Sequence, residues 1–494
     1  MTQAAESLEG MNRSSYAGLP ERFFARVNPV PVAKPRLLRF NHALGMELGL
    51  DIGRLDAAAL AGVLSGNVIP RGAEPIAMAY AGHQFGHFVP QLGDGRAILL
   101  GEVQGRAGIR RDIHLKGTGR TPFSRDGDGR AALGPVLREY LVSEAMHALG
   151  IPATRALAAV ATGEPVFREE ALPGAILTRA AASFVRVGTF QYFAARDDVD
   201  AVRSLADYVI DRHYPQAKAD EQPYLALLRA VTDAQATLIA RWMHVGFIHG
   251  VMNTDNMAVS GETIDFGPCA FLDVYDPEAV FSSIDRHGRY AYGNQPHAAL
   301  WNLTRFAETL LPLIDGGGDR AVELAGEVLA AFSPRFSELS LAGLRLKLGL
   351  ASREDGDAAL AQDLLDAMHR NQADFTLTFR RLCDAAEGDA GVRSLFANPR
   401  EYDEWAGRWR ARMTREPLEP QARAEAMRQA NPAVIPRNHR IEQVIDAAVE
   451  GQDFEPFAKL SAVLSQPYRS LEGFEPYTDP PQPGERVQKT FCGT

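Results

Sequence analysis

The sequence predicts an α+β fold in which a strand-rich lobe is followed by a larger helical lobe. Short apolar runs, separated by glycines and other turn-forming residues, fill residues 76–180 and are typical of β-strands. Through most of the later chain, apolar residues recur at spacings of three and four, which indicates amphipathic helices. Apolar residues make up 46% of the 494 residues, enough to bury a sizeable core, and this argues against a disordered chain.

The composition also limits the partners of the chain. It carries 52 Lys and Arg residues against 62 Asp and Glu residues, a net charge of −10, which argues against a general nucleic-acid-binding protein. Its beginning lacks the apolar core of a secretory signal, and no uncharged apolar run of about 18 residues predicts a membrane span. Three cysteines are too few for a disulfide framework and fit a reducing cytosol. We therefore expect a cytoplasmic monomer without nucleic-acid or membrane partners.

Changes in composition divide the chain into four predicted segments, which are an N-terminal flank at 1–75, the strand-rich lobe at 76–180, the helical lobe at 181–390, and a C-terminal helical extension with a tail at 391–494. Within the flank, the proline-containing stretch LPERFFARVNPVPVAKPRLLRFN predicts extended coil. Helical patterns follow around 38–49 and 55–64.

The strand-rich lobe begins with two predicted antiparallel strands, AILLGEV and DIHLKGT, and a glycine-rich turn precedes the first. A polar, glycine-rich loop at 124–130 comes before an amphipathic helix at 134–149. The strand-like runs RALAAVAT, EPVFRE and GAILTRAA then reach to about residue 180.

The helical lobe contains one long core helix, predicted at about 222–245, which leads directly into GFIHGVMNTDNMAVSGETIDFGPCA at 246–270. Further helical patterns occur at 297–315, 320–333, 339–350, 357–386, 400–413 and 440–465.

The segment 246–270 carries the residues with the most distinctive chemistry. Asn256 and Asp265 stand nine residues apart, and a tight hairpin between them would bring two oxygen ligands side by side. A hard cation such as Mg²⁺ requires ligands of this kind. The pattern therefore predicts the metal half of a nucleotide-phosphate site.

A glycine turn and a lysine upstream would supply the other half of that site. Gly93 and Gly95 lie in a turn where the missing Cβ atoms let backbone N–H groups approach phosphates, although an ordinary turn is the alternative. Lys116 ends the second strand, and a phosphate-binding lysine needs a carboxylate to hold it. Glu139 on the following helix is the expected partner, with Glu144 as the alternative.

The order of these parts is typical of a protein-kinase-like site. His249 and Asn256 occupy the His and Asn positions of the kinase catalytic loop, but Val251 stands where that loop carries its catalytic aspartate. Because valine cannot accept a proton, Asp255 is the nearest carboxylate able to act as the base. The sequence therefore predicts a protein-kinase-like two-lobed fold of the α+β class, with N- and C-terminal extensions.

Two further features are unlike ordinary kinases. The loop RDGDGR at 125–130 adds polar and glycine residues between Lys116 and its helix. Arg179 and Arg186, seven residues apart, join Arg96 as candidates for bidentate phosphate contacts, while surface salt bridges are the alternative. The short apolar stretches around these arginines favour a pocket.

Several longer strings in the chain carry a family resemblance. LGDGRAILLGEV, DIHLKGTGRTPFSRDGDGRAAL, LTRAAASFVRVGTFQYFA and GFIHGVMNTDNMAVSGETIDFGPCAFLD resemble the selenoprotein O (SelO) family of pseudokinase protein adenylyltransferases, and the resemblance runs from about residue 20 to the C-terminal cysteine. It implies a kinase-like fold that binds ATP in a flipped orientation. It further implies transfer of AMP to Ser, Thr or Tyr hydroxyls of protein substrates, with release of pyrophosphate.

The same resemblance implies roles for individual residues. Asp255 matches the proposed proton acceptor, and Glu139 matches the partner of the catalytic Lys116. Asn256 and Asp265 match the ligands of Mg²⁺, for which Mn²⁺ would substitute. The positions that match nucleotide-binding residues are Gly93, Gly95, Arg96, Lys116, Asp128, Gly129, Arg179, Arg186 and Asp265.

Some alternatives stay open at this point. Family members often carry a selenocysteine or cysteine near the C-terminus, where this chain has Cys492, and the sequence does not say whether it pairs with Cys269, Cys383 or neither. A phosphotransferase competes with adenylyl transfer because the lysine and Asp-Phe-Gly are intact, and a non-catalytic nucleotide-binding pseudokinase competes because of Val251. The order of the motifs and the resemblance favour adenylyl transfer.

Overall fold

A nine-stranded sheet, in which neighbouring strands pair antiparallel, dominates the first part of the chain. The structure, a computed structural model, describes residues 10–50, 55–316, 318–388, 391–470 and 472–491. The strands of this described part are β1 (Met11–Asn12), β2 (Phe24–Arg26), β3 (Arg36–Phe40), β4 (Ile76–Met78), β5 (Gly82–Gln84), β6 (His87–Val89), β7 (Ala97–Gln104), β8 (Arg110–Lys116), β9 (Ala131–Ala132), β10 (Arg155–Phe167), β11 (Ala171–Ala181), β12 (Phe247–Ile248) and β13 (Ala270–Phe271).

The sheet has the strand order β2-β4-β7-β8-β11-β10-β3, while β1 pairs with β7 and β9 with β11. The two strands predicted at its centre, β7 and β8, pair antiparallel, with Ala97 opposite Lys116. RALAAVAT and the first four residues of EPVFRE belong to the single strand β10, which ends at Phe167. Its register shifts between Ala161 and Pro165, where Gly163 has a φ of 74°, so the turn-forming residues produce a bulge and not a chain reversal.

The N-terminal flank contributes strands where the sequence predicted coil and the start of a helix. β2 pairs with β4, and β3 pairs with β10. The prediction of a helix from about residue 38 is therefore wrong for Leu38–Phe40, which lie in β3. A helix begins only at His42, where the Asn41 side chain accepts a hydrogen bond from the Leu44 N–H at 3.1 Å. Pairing with distant strands overrides the local pattern here.

Helices make up most of the chain after the sheet. In the described residues they are α1 (His42–Glu47), α2 (Ala57–Leu64), α3 (Leu133–Ala148), α4 (Val187–Ala194), α5 (Val199–His213), α6 (Pro223–Val245), α7 (Gln295–Leu310), α8 (Asp319–Ala330), α9 (Phe332–Lys347), α10 (Asp357–Asn371), α11 (Phe375–Ala385), α12 (Pro399–Met413), α13 (Pro420–Ala430), α14 (Asn438–Glu450) and α15 (Glu455–Leu464). The chain is thus of mixed α and β class with an antiparallel sheet. The helix after the glycine loop is α3, and the long core helix is α6.

Two long helical patterns each turn out to be a pair of helices. The pattern at 357–386 breaks at Gln372, which has a left-handed φ of 52° and separates α10 from α11. The pattern at 440–465 breaks after Gly451, and Pro456 stands in the first turn of α15. The sequence patterns also did not single out α4, α5 and α13.

The helix α3 lies between the sheet and the C-terminal helices. It packs on β10 and β11, and α14 and α15 pack against it from the other side. A Cβ placed on Gly134 would lie 2.9 Å from a side-chain carbon of Ile445, so glycine allows α14 to approach closely. The Tyr140 and Phe457 rings contact each other edge-on, 5.4 Å between centroids. Among the residues described, no helix has the length and apolar character that crossing a membrane requires.

Candidate active site

The strands β8 and β11 and the helix α3 bring the predicted lysine, arginine and glutamate together. Arg179 on β11 lies opposite His114 on β8, and Leu177 lies opposite Lys116. Because side chains alternate along a strand, Lys116 and Arg179 point to the same face of the sheet. The helix α3, which carries Glu139, packs near that face.

Lys116, Glu139, Arg179 and Asp265 form a buried ion cluster. The Lys116 Nζ atom lies 2.7 Å from Glu139 Oε2 and 2.7 Å from Asp265 Oδ1. Arg179 Nη1 donates to Glu139 Oε1 at 2.8 Å and to Asp265 Oδ1 at 3.0 Å. Burial alone would raise the pKa of both carboxyls, but Lys116 and Arg179 outweigh it and hold both pKa values below their usual range. The two carboxylates therefore stay ionised beside these basic side chains.

Contacts and burial decide two alternatives that the sequence left open. Glu144 accepts a hydrogen bond from Arg155 Nε at 2.9 Å, whereas the carboxylate of α3 that contacts Lys116 is Glu139. Arg179 is 3% exposed and Arg186 is 2% exposed, so neither is a surface salt-bridge arginine.

A second set of buried groups connects this ion cluster to the glycine turn. Arg179 Nη2 lies 3.0 Å from His114 Nδ1, and His114 Nε2 lies 3.3 Å from Asp94 Oδ2. A guanidinium only donates, so Nδ1 accepts and the ring proton sits on Nε2, from which it donates to Asp94. Burial lowers the pKa of His114, which keeps the ring neutral. Asp94 stands between Gly93 and Gly95, so its hydrogen bond with His114 anchors the glycine turn to β8.

Arg186 joins the ion cluster to Asp255. Its Nη1 atom donates to the backbone carbonyl of Asp255 at 3.0 Å and lies 3.8 Å from Asp265 Oδ2. Its guanidinium carbon lies 4.3 Å from the centroid of the Tyr80 ring. The side chain is therefore held in place on three sides.

The loop after α6 is held by hydrogen bonds within itself. His249 Nε2 donates to the Ile264 carbonyl at 2.8 Å, and its Nδ1 accepts from the Val251 N–H at 3.3 Å. Asn256 Nδ2 donates to the Val251 carbonyl at 3.0 Å. Because its amide nitrogen is engaged in this way, Asn256 retains its amide oxygen for a ligand. Val251 itself is buried and apolar.

The chain between Asn256 and Asp265 folds back on itself as the spacing predicts. Met257 and Thr263 form an antiparallel bridge, which closes the hairpin. Asp265 has a φ of 62°, a left-handed conformation that is uncommon outside glycine. Its side chain is 24% exposed and thus within reach of a ligand.

Asp255 stands apart from the ion cluster in its surroundings. Its Oδ2 atom is 3.4 Å from Gln84 Nε2, and its Oδ1 atom finds no hydrogen-bond partner among the residues described. Burial raises the pKa of Asp255 to about 6, although nearby Arg186 opposes the shift. A Cβ on Gly82 would overlap the Asp255 carboxylate, and one on Gly188 would overlap the Ala81 carbonyl oxygen and come within 3.2 Å of Asp255 Cα. Glycines thus let two segments close around this side chain.

A cavity of about 580 Å³ opens beside Asp255, a size suited to a small ligand. Five of the predicted nucleotide-binding residues line it, namely Gly93, Gly95, Arg96, Asp128 and Gly129. Three arginines that the sequence analysis did not assign also line it, namely Arg125, Arg130 and Arg168. Asp255 lines the cavity too, whereas Lys116, Arg179 and Asp265 lie in the ion cluster and Arg186 lies between that cluster and Asp255. The cavity therefore offers positive charge next to a carboxylate.

The glycines and Asp128 also hold the wall of the cavity together. Gly93 has a φ of 74°, and a Cβ there would overlap the Phe123 ring. Gly129 has a φ of 68°. Asp128 accepts two hydrogen bonds from Arg168, at 2.9 and 3.2 Å, and these lower its pKa. Asp128 therefore reaches the cavity already bound to an arginine.

Sequence reasoning missed Gln84, His114 and Asp94. The position of His114 two residues before Lys116 on one strand was a readable signal, because such residues share a face. No local signal connects Gln84 with Asp255, since they are 171 residues apart.

The structure bears on only two of the three cysteines. Cys269 and Cys383 are buried free thiols, and burial raises the pKa of Cys269 to about 12. Cys492 lies outside the described residues. Thr490, within the described residues, forms a parallel bridge with Ser282.

Comparison with known proteins shows the family of the chain. The family model described as protein adenylyltransferase SelO matches residues 8–465. A protein nucleotidyltransferase YdiU from Bradyrhizobium sp. strain BTAi1 is 64% identical over 484 residues, which cover 98% of this chain and 99% of that protein. The protein of the same name from Rhizobium etli strain CFN 42 is 63% identical over 486 residues, 97% of each chain. The chain therefore belongs to the SelO family of protein adenylyltransferases.

Proposed function

We propose that this chain, a protein nucleotidyltransferase by family, transfers AMP from ATP to Ser, Thr or Tyr hydroxyls of acceptor proteins and releases pyrophosphate. One observation carries the proposal. At the position where a kinase holds its base, the chain has the buried and inert Val251, and four residues later Asp255 presents a carboxylate beside a cavity lined by arginines.

In the proposed reaction, Asp255 accepts the proton of the acceptor hydroxyl as the hydroxyl oxygen attacks the α-phosphorus of ATP. The bond between that phosphorus and the oxygen bridging to the β-phosphate breaks, and pyrophosphate leaves with the bridging oxygen. Lys116, Arg179 and Arg186 stabilise the negative charge that develops on the phosphates. Glu139 positions Lys116 through their 2.7 Å contact.

The proposal includes a protein-kinase-like fold with lobes at 76–180 and 181–390 and extensions at 1–75 and 391–494. The order of the lysine strand, the glutamate helix and the Asp265 loop supports it. We also propose that ATP binds in the orientation opposite to that in a protein kinase. The arginines of the cavity support this orientation, because they would bind the β- and γ-phosphates as the leaving group.

Mg²⁺, or Mn²⁺ in its place, would be held by the amide oxygen of Asn256 and the carboxylate of Asp265. This donor set fits, because Mg²⁺ usually takes one or two protein oxygens and completes its shell with phosphate oxygens and water. When bound, the cation neutralises phosphate charge and orients the phosphates. Within the described chain, no group of three or more His, Cys, Asp or Glu side chains is placed to hold a metal ion.

We further propose that the protein acts as a cytoplasmic monomer. The low cysteine count and the net charge of −10 support this proposal. Light scattering during gel filtration tests it, and a stable dimer at micromolar concentration would contradict it.

ATP labelled at either the α- or the γ-phosphate distinguishes the proposed function from its two competitors. Label that enters protein only from the α-position supports adenylyl transfer. Label from the γ-position would instead indicate a phosphotransferase. No transfer from either position, with ATP binding intact, would indicate a non-catalytic nucleotide-binding protein.

Val251→Asp tests the proposed orientation of the nucleotide. This variant restores the aspartate of a kinase loop, yet we expect no γ-label on protein because the γ-phosphate would lie away from the acceptor hydroxyl. Strong γ-label incorporation by the variant would contradict the reversed nucleotide. Asp265→Ala is the companion variant, and full α-label incorporation by it would contradict the proposed metal site.

A further inference from the structure

Beside Asp255 the structure presents a basic and aromatic face, which we call the Trp301 platform and define as His83, Arg289, Trp301 and Arg305. The Arg289 guanidinium carbon lies 4.6 Å from the centroid of the Trp301 ring, and that of Arg305 lies 5.2 Å from it. The His83 ring meets the Trp301 ring edge-on, 5.1 Å between centroids. The Trp301 indole therefore contacts the guanidinium groups of both Arg289 and Arg305.

The platform is fastened to the loop that carries Asp255. His83 directly follows Gly82, whose Cα faces the Asp255 carboxylate. The His83 N–H donates to Thr254 Oγ1 at 2.7 Å. Asn253 Oδ1 accepts from the Tyr290 hydroxyl at 2.9 Å, so the residue after Arg289 is held by the same loop. The Arg289 guanidinium lies 3.5 Å from the position of a Cβ on Gly86, and two residues earlier the Gln84 side chain lies 3.4 Å from Asp255. An extended acceptor segment of about three to five residues would span this separation.

The charge of this face is opposite to that of the whole chain. The chain carries a net charge of −10, yet Arg289 and Arg305 both lie against one indole, and the exposed Arg286, His287 and His297 stand near them in the sequence. Two acids close in sequence to Arg289 and Arg305 are already engaged. Asp285 accepts the backbone N–H groups of Arg289 and Tyr290, and Glu308 pairs with Arg305 at 2.6 Å.

The guanidinium of Arg289 is placed to bind a carboxylate. Its guanidinium carbon lies over the Trp301 ring, its Nε atom is buried and its side chain also hydrogen-bonds Tyr290, so the Nη groups are the donors that a ligand would meet. Among the described residues Asp285 accepts from Arg289 only the backbone N–H, and no ion pair engages its guanidinium. A carboxylate accepts such paired donors in a bidentate way.

We propose that the Trp301 platform docks the acceptor protein and selects hydroxyls that have Asp or Glu about three to five residues away in the sequence. The inference rests on the proposed function, because it assigns the acceptor class of the same site. The occupant is a segment of acceptor protein with acidic side chains, and the charge complementarity described above is the reason for that choice.

A serine-centred peptide library, incubated with α-labelled ATP and sequenced after labelling, tests the proposal. We expect Asp and Glu to be enriched roughly fivefold to tenfold at those flanking positions. Arg289→Ala is expected to remove most of the enrichment, Arg289→Lys to keep part of it, and Arg289→Glu to favour Lys and Arg instead. Arg410→Ala, at an exposed arginine of α12, is the control that leaves the enrichment unchanged.

The outcomes separate this inference from the proposed function. A labelled library without acidic enrichment, or enrichment that Arg289→Ala does not alter, overturns the docking proposal alone. Label that enters proteins of a cell extract but no library peptide also overturns it alone, because recognition would then not depend on a short acidic flank. No α-label in either overturns the proposed function and the inference together. Thermal stabilisation by ATP, measured for each variant, checks that the nucleotide site is intact.

Discussion

At the scale of single residues, the two acids of the site differ in what surrounds them. Although burial opposes it, Lys116 and Arg179 hold the pKa of Asp265 well below its usual range. Asp255 has no ion pair among the described residues, its contact with Gln84 is long, and burial raises its pKa to about 6 although nearby Arg186 opposes the shift. A carboxylate held by cations is a weak base, whereas one without such partners accepts a proton more readily. The structure thus favours Asp265 as a ligand and Asp255 as the base.

Asp255→Asn is therefore expected to abolish most transfer while leaving the nucleotide bound. The amide keeps the shape of the side chain but cannot accept the hydroxyl proton, so incorporation of α-label should fall by about 10²–10⁴-fold. Calorimetric titration should show an ATP affinity within a few fold of that of the unaltered protein. Asp211→Asn, at an exposed aspartate on α5 that pairs with Lys218, is the control for charge loss. Transfer at the normal rate by Asp255→Asn would show that another group takes the proton.

Residues of the site differed in how far the sequence could predict them. Lys116, Glu139 and Asp265 belong to an ordered set of motifs, so their meeting could be expected from their order along the chain. Gln84 and Asp94 come to the site through strand register and loop packing across long separations in sequence. No local pattern encodes such contacts, because they form only when the sheet and the helices pack.

At the scale of elements, α14 contacts the chain near each of the two carboxylates of the ion cluster, Asp265 and Glu139. The side-chain amide of Asn438 accepts from the Phe271 N–H at 3.1 Å and donates to the Phe271 carbonyl at 2.9 Å, six residues after Asp265. One turn further along α14, Glu442 pairs with Arg138, the neighbour of Glu139 on α3. A helix from the end of the chain thereby supports both carboxylates that hold Lys116.

Asn438→Ala is expected to lower the free energy of unfolding by about 1–3 kcal/mol, because two buried backbone groups of Phe271 lose their partner. Urea unfolding followed by fluorescence measures the change. Gln443→Ala, on the exposed side of the same helix, is the matched control and should change stability by less than about 0.5 kcal/mol. Equal stability of the two variants would mean that the Phe271 groups find other partners.

The helix pair α9 and α11 encloses a buried lysine that makes stability depend on pH. Burial lowers the pKa of Lys347 from 10.5 to about 7, and the only ring contacts of its Nζ in the described chain are Phe375 and Phe379, at 5.5 and 4.3 Å. Between pH 7 and 10.5 the unfolded chain binds more protons than the folded chain at this residue. Its contribution therefore makes the protein more stable as pH rises through that window.

Lys347→Met is accordingly expected to raise the free energy of unfolding by about 1–3 kcal/mol at pH 6, where a buried charge is replaced by an apolar chain. The advantage should shrink steadily between pH 7 and 10, which unfolding curves at several pH values would show. Lys459→Met, at an exposed lysine on α15, serves as the control and should show no such trend. A gain that is independent of pH would contradict the low pKa of Lys347.

Helices and strands were predictable where a local sequence pattern determines them. They were not predictable where tertiary contacts determine them. The long helix α6 and the strands β7 and β8 follow from their apolar spacing. The break at Gln372 does not, because a left-handed conformation of a residue other than glycine has no strong local signal. The strand β3 was missed for a similar reason, since the strand it pairs with among the described residues, β10, lies more than a hundred residues further along.

At the scale of the whole molecule, composition and periodicity predicted the class of the fold. They did not predict that the N- and C-terminal segments pack against the central sheet and α3. Residues 11–40 add strands to the sheet, and residues after 437 add helices that cover α3. Both sets of contacts are long-range, and composition and periodicity cannot reveal them. Ion pairs join the sheet to the later chain at several places, such as Arg212 with Asp112, and one such junction lies at the site, where Asp265 contacts Lys116 and Arg179.

This junction predicts that nucleotide and metal stabilise the whole fold together. ATP at 100 times its dissociation constant should add about 2.7 kcal/mol to the free energy of unfolding. With Mg²⁺ present the melting temperature should rise further than with ATP and a chelator, because Asp265 would bind the cation that the phosphates also bind. In Asp265→Ala the difference between Mg²⁺ and chelator should vanish, whereas Asp211→Asn should retain it. An undiminished Mg²⁺ effect in Asp265→Ala would place the cation on other ligands, even if that variant had lost all transfer activity.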